Sequence, residues 1–188
     1  MTDKRVYATK HQLNDDWLSR VEIRQAEKSD LTALEWEGSY QRFRRIYADV
    51  FQRTKKGLAV MWVADLSGYG LTGQVFVQMD SEYRPELANG KTWAYVHAFR
   101  VRPLFRNAGL GTLLMEAAEA DLLERNYKIV ILTVAKDNPA ARRLYERLGY
   151  EVIAADSGRW SYRDDRGMLR HVVEPGWRMS KRLQAEKL

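Results

Sequence analysis

The sequence predicts a mixed α/β fold layered around one sheet. Three observations point there. Strand and helix periodicities follow one another in the order strand, two helices, three strands, helix, strand, helix, two strands. Ile129-Val130-Ile131-Leu132-Thr133-Val134 is an apolar run of the kind a strand covered on both faces requires. Asn138-Pro139 joins an N-cap residue to one suited to the first helical position.

The elements follow in order. Val21-Glu22-Ile23-Arg24 alternates like a strand. Ser29-Asp30 reads as a helix start leading into Leu31, Leu34 and Trp36. A second helix is expected over 40–55, with Phe43, Ile46, Tyr47, Val50 and Phe51 at helical spacing and Arg42, Arg44, Arg45 and Arg53 on its other face. Gly57 closes it. Residues 58–64 and 71–79 read as antiparallel strands about the turn Ser67-Gly68-Tyr69-Gly70. After a loop over 85–90, residues 92–101 form a third strand of this group. Residues 109–124 are helical, with Leu110, Leu113, Leu114, Ala117 and Ala118 on one broad face. Beyond the apolar run, Ala141, Leu144, Tyr145 and Leu148 keep helical spacing up to Gly149, a good stop. Residues 150–153 resume as strand, a polar loop follows, and 177–181 is the last strand. Residues 1–20 are polar and mixed and read as an N-terminal extension, with 21–188 as a single domain.

Composition bounds the function. The chain has 188 residues, 45% of them hydrophobic, which suits one domain with a substantial core. No window reaches the roughly 18 apolar residues of a membrane span, and the first residues lack a secretory apolar segment, so the expectation is a cytoplasmic protein. Cysteine is absent, which removes disulfides and thiolate metal sites, and no metal is expected. The net charge of +6 suits nucleic acid, a membrane surface or an anionic small molecule, and the basic residues are scattered rather than blocked.

The informative segment is Val101-Arg102-Pro103-Leu104-Phe105-Arg106-Asn107-Ala108-Gly109-Leu110-Gly111-Thr112. A strand ends, a short loop follows, and Gly-X-Gly opens a helix. Glycines let backbone approach a ligand, and a helix N-terminus offers unpaired N–H groups with partial positive charge, so the segment makes a phosphate site. Arg102 and Arg106 add cations nearby. A P-loop would need Gly-Lys-Ser/Thr, and Gly111-Thr112-Leu113 has no lysine. A dinucleotide fingerprint would need a third small residue where Leu114 stands.

Arg106-Asn107-Ala108-Gly109-Leu110-Gly111 resembles the pyrophosphate loop, Arg/Gln-x-x-Gly-x-Gly/Ala, of the GNAT acetyltransferase superfamily. About 30 residues later, Asn138-Pro139-Ala140-Ala141-Arg142-Arg143-Leu144-Tyr145-Glu146-Arg147-Leu148-Gly149-Tyr150 is similar to that family's second signature. The resemblance spans roughly 21–183, and its specific part is 96–152. It implies a central, mostly antiparallel sheet of about seven strands, flanked by helices and splayed between strands 4 and 5. It also implies acetyl-CoA as cosubstrate. Backbone of Phe99, Arg100 and Val101 would pair with pantetheine. Amides over 107–112 (Asn107, Ala108, Gly109, Leu110, Gly111, Thr112), with Arg106, would take the pyrophosphate. Asn138 would hydrogen-bond the pantetheine arm, Ala141 would lie against the cofactor, and Arg142 or Arg143 could reach a phosphate or simply face solvent.

The implied reaction is direct attack of a primary amine on the acetyl thioester in a ternary complex. Tyr145 takes the place of the general acid that protonates the leaving thiolate, as a phenol protonated near neutrality can. His97 is a candidate base, sharing a face with Phe99 and Val101 if the strand is regular. Glu35, Glu37 and Glu82 also stay open for that role. The acceptor region implied by the family supplies Trp36, Glu37, Tyr40, Trp160, Tyr162, Asp164 and Asp165. The acceptor could be a small-molecule amine, a peptide N-terminus or a lysine, and a homodimer is compatible with the family. Two other functions are compatible with the sequence. One is a non-catalytic CoA-binding or regulatory module on the same fold. The other is a basic nucleic-acid-binding domain using Arg42, Arg44, Arg45, Lys55 and Lys56, which no zinc-finger, RNP or helix-turn-helix signature supports.

Overall fold

The computed structural model describes residues 16–184. Nine strands run β1 Val21–Gln25, β2 Ala59–Leu66, β3 Gly70–Gln78, β4 Trp93–Val101, β5 Ile129–Ala135, β6 Glu151–Asp156, β7 Arg159–Arg163, β8 Leu169–Val173 and β9 Gly176–Arg182. Three α-helices join them: α1 Arg44–Thr54, α2 Leu110–Glu124 and α3 Pro139–Arg147. Seven strands form one sheet in the order β1-β2-β3-β4-β5-β9-β6, and β7 and β8 form a separate hairpin. Every neighbour pair in the sheet is antiparallel except β4 and β5. This is the mixed α/β architecture that the sequence predicts.

Alternation along the central strands sends side chains to two separate cores. Val75, Val77, Val96, Val130 and Leu132 pack against Leu110, Leu114, Met115, Ala118 and Leu122 of α2 and against Tyr145 of α3. Met61, Val63, Leu71 and Phe76 pack against Leu34 and against Tyr47 and Val50 of α1. The sheet is therefore a middle layer, with α2 and α3 on one face and α1 on the other. Leu114 and Met115 are fully buried, so truncating either to alanine should cost about 2–5 kcal/mol.

Two sequence expectations are corrected. The helix read from Ser29-Asp30 through Trp36 is instead two 3-10 turns, Lys28–Leu31 and Ala33–Glu35. Asp30 is not an N-cap. Its carboxylate accepts from the Glu27 amide at 2.7 Å and pairs with Arg24 at 2.7 and 3.0 Å, anchoring this segment to β1. The chain then reverses through three residues with positive φ, Trp36 (46°), Glu37 (56°) and Gly38 (91°), which no α-helix accommodates. Second, the polar loop expected before the last strand contains the β7–β8 hairpin, in register from Arg159↔Val173 to Arg163↔Leu169. Of residues 1–20, those from 16 on are described. Trp17–Arg20 is a 3-10 turn, and Trp17 packs edge-on against Phe105 at 5.0 Å.

Candidate active site

The site begins where β4 and β5 part. Their parallel ladder covers Trp93↔Ile129 to Val96↔Leu132 and stops. Beyond it β4 stays paired with β3 as far as Val101↔Gly73, and β5 stays paired with β9 as far as Ala135↔Gly176. The edge of β4 over 97–101 that faces β5 is left without a strand partner. Free backbone groups on such an edge suit a ligand that pairs like an extra strand.

A β-bulge sits at the start of the parted stretch. Phe76 opposes His97 and Gln74 opposes Arg100, so β4 carries one residue more than β3 across this interval. Ala98 absorbs it with φ of +50°. The fully buried Gln74 donates its side-chain N–H to the Ala98 carbonyl at 3.3 Å and pins the irregularity. The bulge reverses the alternation. His97 lies edge-on to Phe76 (5.8 Å) on the α1 face and stacks on Tyr95 (6.0 Å, 7° between planes). Phe99 and Val101 pack into the α2 core. The shared face that regular alternation gives His97, Phe99 and Val101 is thus lost, and Arg100 joins His97 on the α1 face. There the Arg100 guanidinium donates to the Tyr47 hydroxyl at 3.2 Å and lies 4.1 Å from the Tyr40 ring.

The glycine loop closes one end. Arg102 donates its amide to Thr72 and its guanidinium to Leu71 O (2.7 Å) and, bidentately, to Glu37 (2.7 and 2.8 Å). It anchors the loop rather than facing a ligand. The Arg106 Nε–H folds back onto Val101 O at 2.9 Å. Asn107 (φ 62°) and Gly109 (φ 92°) turn the chain into α2. The first helical bond runs from the Leu113 amide to Gly109 O, so the amides of Leu110, Gly111 and Thr112 have no partner within the helix. A Cβ on Gly111 would meet Phe99 at 3.1 Å and Leu144 at 3.3 Å. Glycine there lets β4, α2 and α3 converge around a narrow floor.

Helix α3 supplies the other wall. The Asn138 side-chain carbonyl caps it, accepting from the Ala141 amide at 3.1 Å, which leaves the carboxamide N–H₂ to donate elsewhere. Tyr145 is buried, 6.0 Å from Phe99 and 5.9 Å from Tyr150 between ring centroids. Its hydroxyl makes no hydrogen bond among the described residues. Burial, with a smaller contribution from Tyr95, pushes its pKa far above the ordinary phenol value, so the proton stays on oxygen. His97 is displaced the other way. Burial first, then Arg100 and Arg53, push it down to about 4, so it is neutral at pH 7.

These walls enclose a cleft of ≈ 710 Å³. It gathers most of the residues singled out in the sequence: His97, Phe99, Arg100, Val101, Arg106, Asn107, Gly109, Gly111, Thr112, Asn138, Ala141, Tyr145 and Tyr40. Others stand apart. Leu110 turns its side chain into the α2 core, and Ala108 is exposed. Arg142 pairs with Glu146 at 2.8 Å. Trp36 is buried, Glu37 is engaged by Arg102, and Tyr162 lines a second hollow of ≈ 340 Å³ with Gln41, Arg42 and Asp164. Glu35 is buried and held bidentately by Arg44 (2.6 and 2.8 Å). The cleft also uses residues that the sequence reading missed: Thr133, Val134 and Ala135 of β5, and Leu144 and Arg147 of α3. Thr133–Ala135 could have been found as the part of the apolar run that outlasts the β4 pairing. Nothing in the motif distinguishes Arg147.

No helix of the described residues is long and apolar enough to cross a membrane. The family model described as acetyltransferase (GNAT) family matches residues 21–150. An uncharacterized N-acetyltransferase of Archaeoglobus fulgidus is 32% identical over 141 residues, which cover 66% of this chain and 89% of that protein. Among solved structures, Ard1 from Thermoplasma volcanium superposes with a TM-score of 0.67 at 19% identity, covering 88% of this chain and 99% of its own. Arabidopsis thaliana NAA60 in complex with acetyl-CoA superposes with a TM-score of 0.64 at 20% identity, covering 87% and 98%.

Proposed function

Because the chain belongs to the acetyltransferase (GNAT) family, we propose that it transfers the acetyl group of acetyl-CoA to a primary amine by direct attack in a ternary complex. The carrying observation is the Tyr145 hydroxyl: carried on a buried ring that lines the cleft, held protonated, and without a hydrogen-bond partner among the described residues.

The residues present fit the donor. A free strand edge over 97–101 matches the amides of a pantetheine arm. The unpaired amides at the start of α2 suit a diphosphate, and the missing Cβ of Gly111 leaves the passage between them open. Acetyl-CoA supplies an activated acetyl thioester there. The chain's contribution is alignment and proton placement. Backbone N–H groups near Phe99 and Val101 stabilise negative charge on the acetyl oxygen as the amine attacks. Tyr145 holds the proton for the departing sulfur. The carboxamide of Asn138 steadies the arm. His97, neutral at pH 7, accepts a hydrogen bond from the amine. With a conjugate acid near 4 it holds a proton poorly, so it positions the amine more than it removes its proton.

Free thiol is measured with acetyl-CoA and a panel of amines. Tyr145-dependent thiol release is the expected result. CoA binding with no release from any amine replaces this reading with a non-catalytic binding module.

A further inference from the structure

The α1 side of the cleft carries an unusual charge pattern. Arg100 lines the cleft, is half-buried, and has no carboxylate partner among the described residues. Its guanidinium is held in place by other means: the Tyr47 hydroxyl at 3.2 Å and the rings of Tyr40 at 4.1 Å and Phe43 at 5.3 Å. A second guanidinium, Arg42, lies 4.6 Å from the Phe43 ring. The carboxylates around this wall are already engaged. Glu35 is held by Arg44, Glu37 by Arg102, and Asp164 by Arg170 at 2.7 Å and by two amides. Asp165 accepts from Gln41 at 3.2 Å, at the second hollow. The side of the cleft away from the glycine loop is therefore cationic: Glu35, Glu37 and Asp164 are paired to arginines, and Asp165 lies at the second hollow.

We propose that the acceptor is a primary amine that also bears a carboxylate, of the amino-acid class, with the carboxylate held by Arg100. This rests on the acetyl-transfer reading. A half-buried guanidinium fixed on aromatic faces presents a ready fork to a carboxylate. Arg100 does not serve the donor phosphates with its side chain, because the bulge turns it to the opposite face from Phe99, Val101 and the α2 core. Burial, and after it the charges of Arg100 and Arg53, disfavour the cationic form of His97, and the same surroundings disfavour an ammonium. They repel polycations and favour the neutral amine required for attack. A polyamine finds no unengaged carboxylate at this wall. An amino acid brings the one charge that the wall lacks.

The test uses the full chain, acetyl-CoA, the common L-amino acids, their carboxamides and spermidine. The carboxamide amine is the less basic of each pair, so intrinsic chemistry favours the amide. At least one acid should nevertheless exceed its amide in kcat/KM by roughly 10- to 100-fold, the range for a hydrogen bond to a charged group. Arg100→Gln should bring that ratio to about 1, and Arg100→Lys should restore part of it. CoA affinity of each variant, read by calorimetry, reports folding. The same acid should bind the CoA-loaded protein in calorimetry, and Arg100→Gln should abolish this binding. The proposal is overturned if amides or spermidine are preferred, or if the acid preference survives Arg100→Gln. Should no amine release thiol while Arg100-dependent acid binding persists, the transfer reading falls and the carboxylate site stands. Should neither appear, both fall.

Discussion

The α2 face and the α1 face of the sheet are built on the same strands but equipped differently. On the α2 face, side chains of β4 and β5 meet a nearly all-apolar core, and the polar groups are mostly backbone, a free strand edge and the first amides of α2, joined by the Tyr145 hydroxyl and the Asn138 carboxamide of α3. On the α1 face the polar work is done by side chains, with Arg100 and Arg42 set against Tyr40 and Phe43, and with neighbouring carboxylates paired to arginines. Backbone recognition suits a ligand whose shape is constant, such as a nucleotide thioester. Side-chain recognition suits a partner that differs from one enzyme to the next.

The largest expected effect lies at the meeting of the faces. Tyr145→Phe should lower kcat by about 10²–10³-fold while leaving CoA affinity within about twofold. Equal turnover in the variant would reduce Tyr145 to a packing ring between Phe99 and Tyr150. Next comes the α1 face, probed by pH. The folded pKa of His97, about 4, lies below the ordinary value of 6.5. The unfolded chain therefore takes up this proton first as pH falls. Stability is undiminished above about 6.5 and is lost progressively down to about 4. For a ring partly open to the cleft the loss should be about 2 kcal/mol. Denaturant titrations of the wild type and His97→Gln should diverge in that window, and parallel curves would show that the ring is not desolvated.

Gly111→Glu probes the α2 face. It sets a side chain against Phe99 and Leu144 and a negative charge beside the amides of α2. CoA affinity should fall roughly 10- to 100-fold, and an unchanged calorimetric isotherm would remove the diphosphate from this loop. The smallest effect should come from Glu37→Gln. It weakens the fork to Arg102, with Glu37 about half exposed, and should cost no more than about 1 kcal/mol in unfolding free energy. A larger loss would mean that the turn over 36–38 depends on that ion pair.

The same division governs what the sequence discloses. The α2 face was legible because its parts are local and chemically constrained. Gly109 and Gly111 hold backbone that a side chain would strain or block, Asn138-Pro139 starts a helix, and the Ala141, Leu144 and Tyr145 spacing faces the core. Most of the sheet was legible for the same reason, since burial on both faces writes near-continuous apolar runs into β2, β3 and β5. The α1 face was not. The bulge at Ala98 has no glycine to announce it, and it depends on Gln74 from another strand. The turn after Glu35 sets Trp36 and Glu37 in left-handed conformations that neither residue type advertises. In the β7–β8 hairpin only Trp160 and Tyr162 alternate with polar residues, and most side chains of Arg159–Arg163 and Leu169–Val173 are exposed, so the pattern is too short and too polar to stand out from a loop. Arg100 entered the sequence reading only through its backbone and Arg42 only as part of a basic helix face, because only the folded chain shows which carboxylates are already committed.

The extra residue in β4 has a consequence for how such a chain can drift. Once Ala98 reverses the order, neighbouring positions of one short strand face different layers: Phe99 and Val101 lie toward the α2 core and Arg100 toward Tyr47 of α1, the donor and acceptor sides under the proposed function. Under that proposal, a point mutation at 100 would re-address the protein to another amine while its grip on the thioester carrier stays intact. Removing the one surplus residue would swap the two addresses at a stroke, so length at this spot is under tighter constraint than identity.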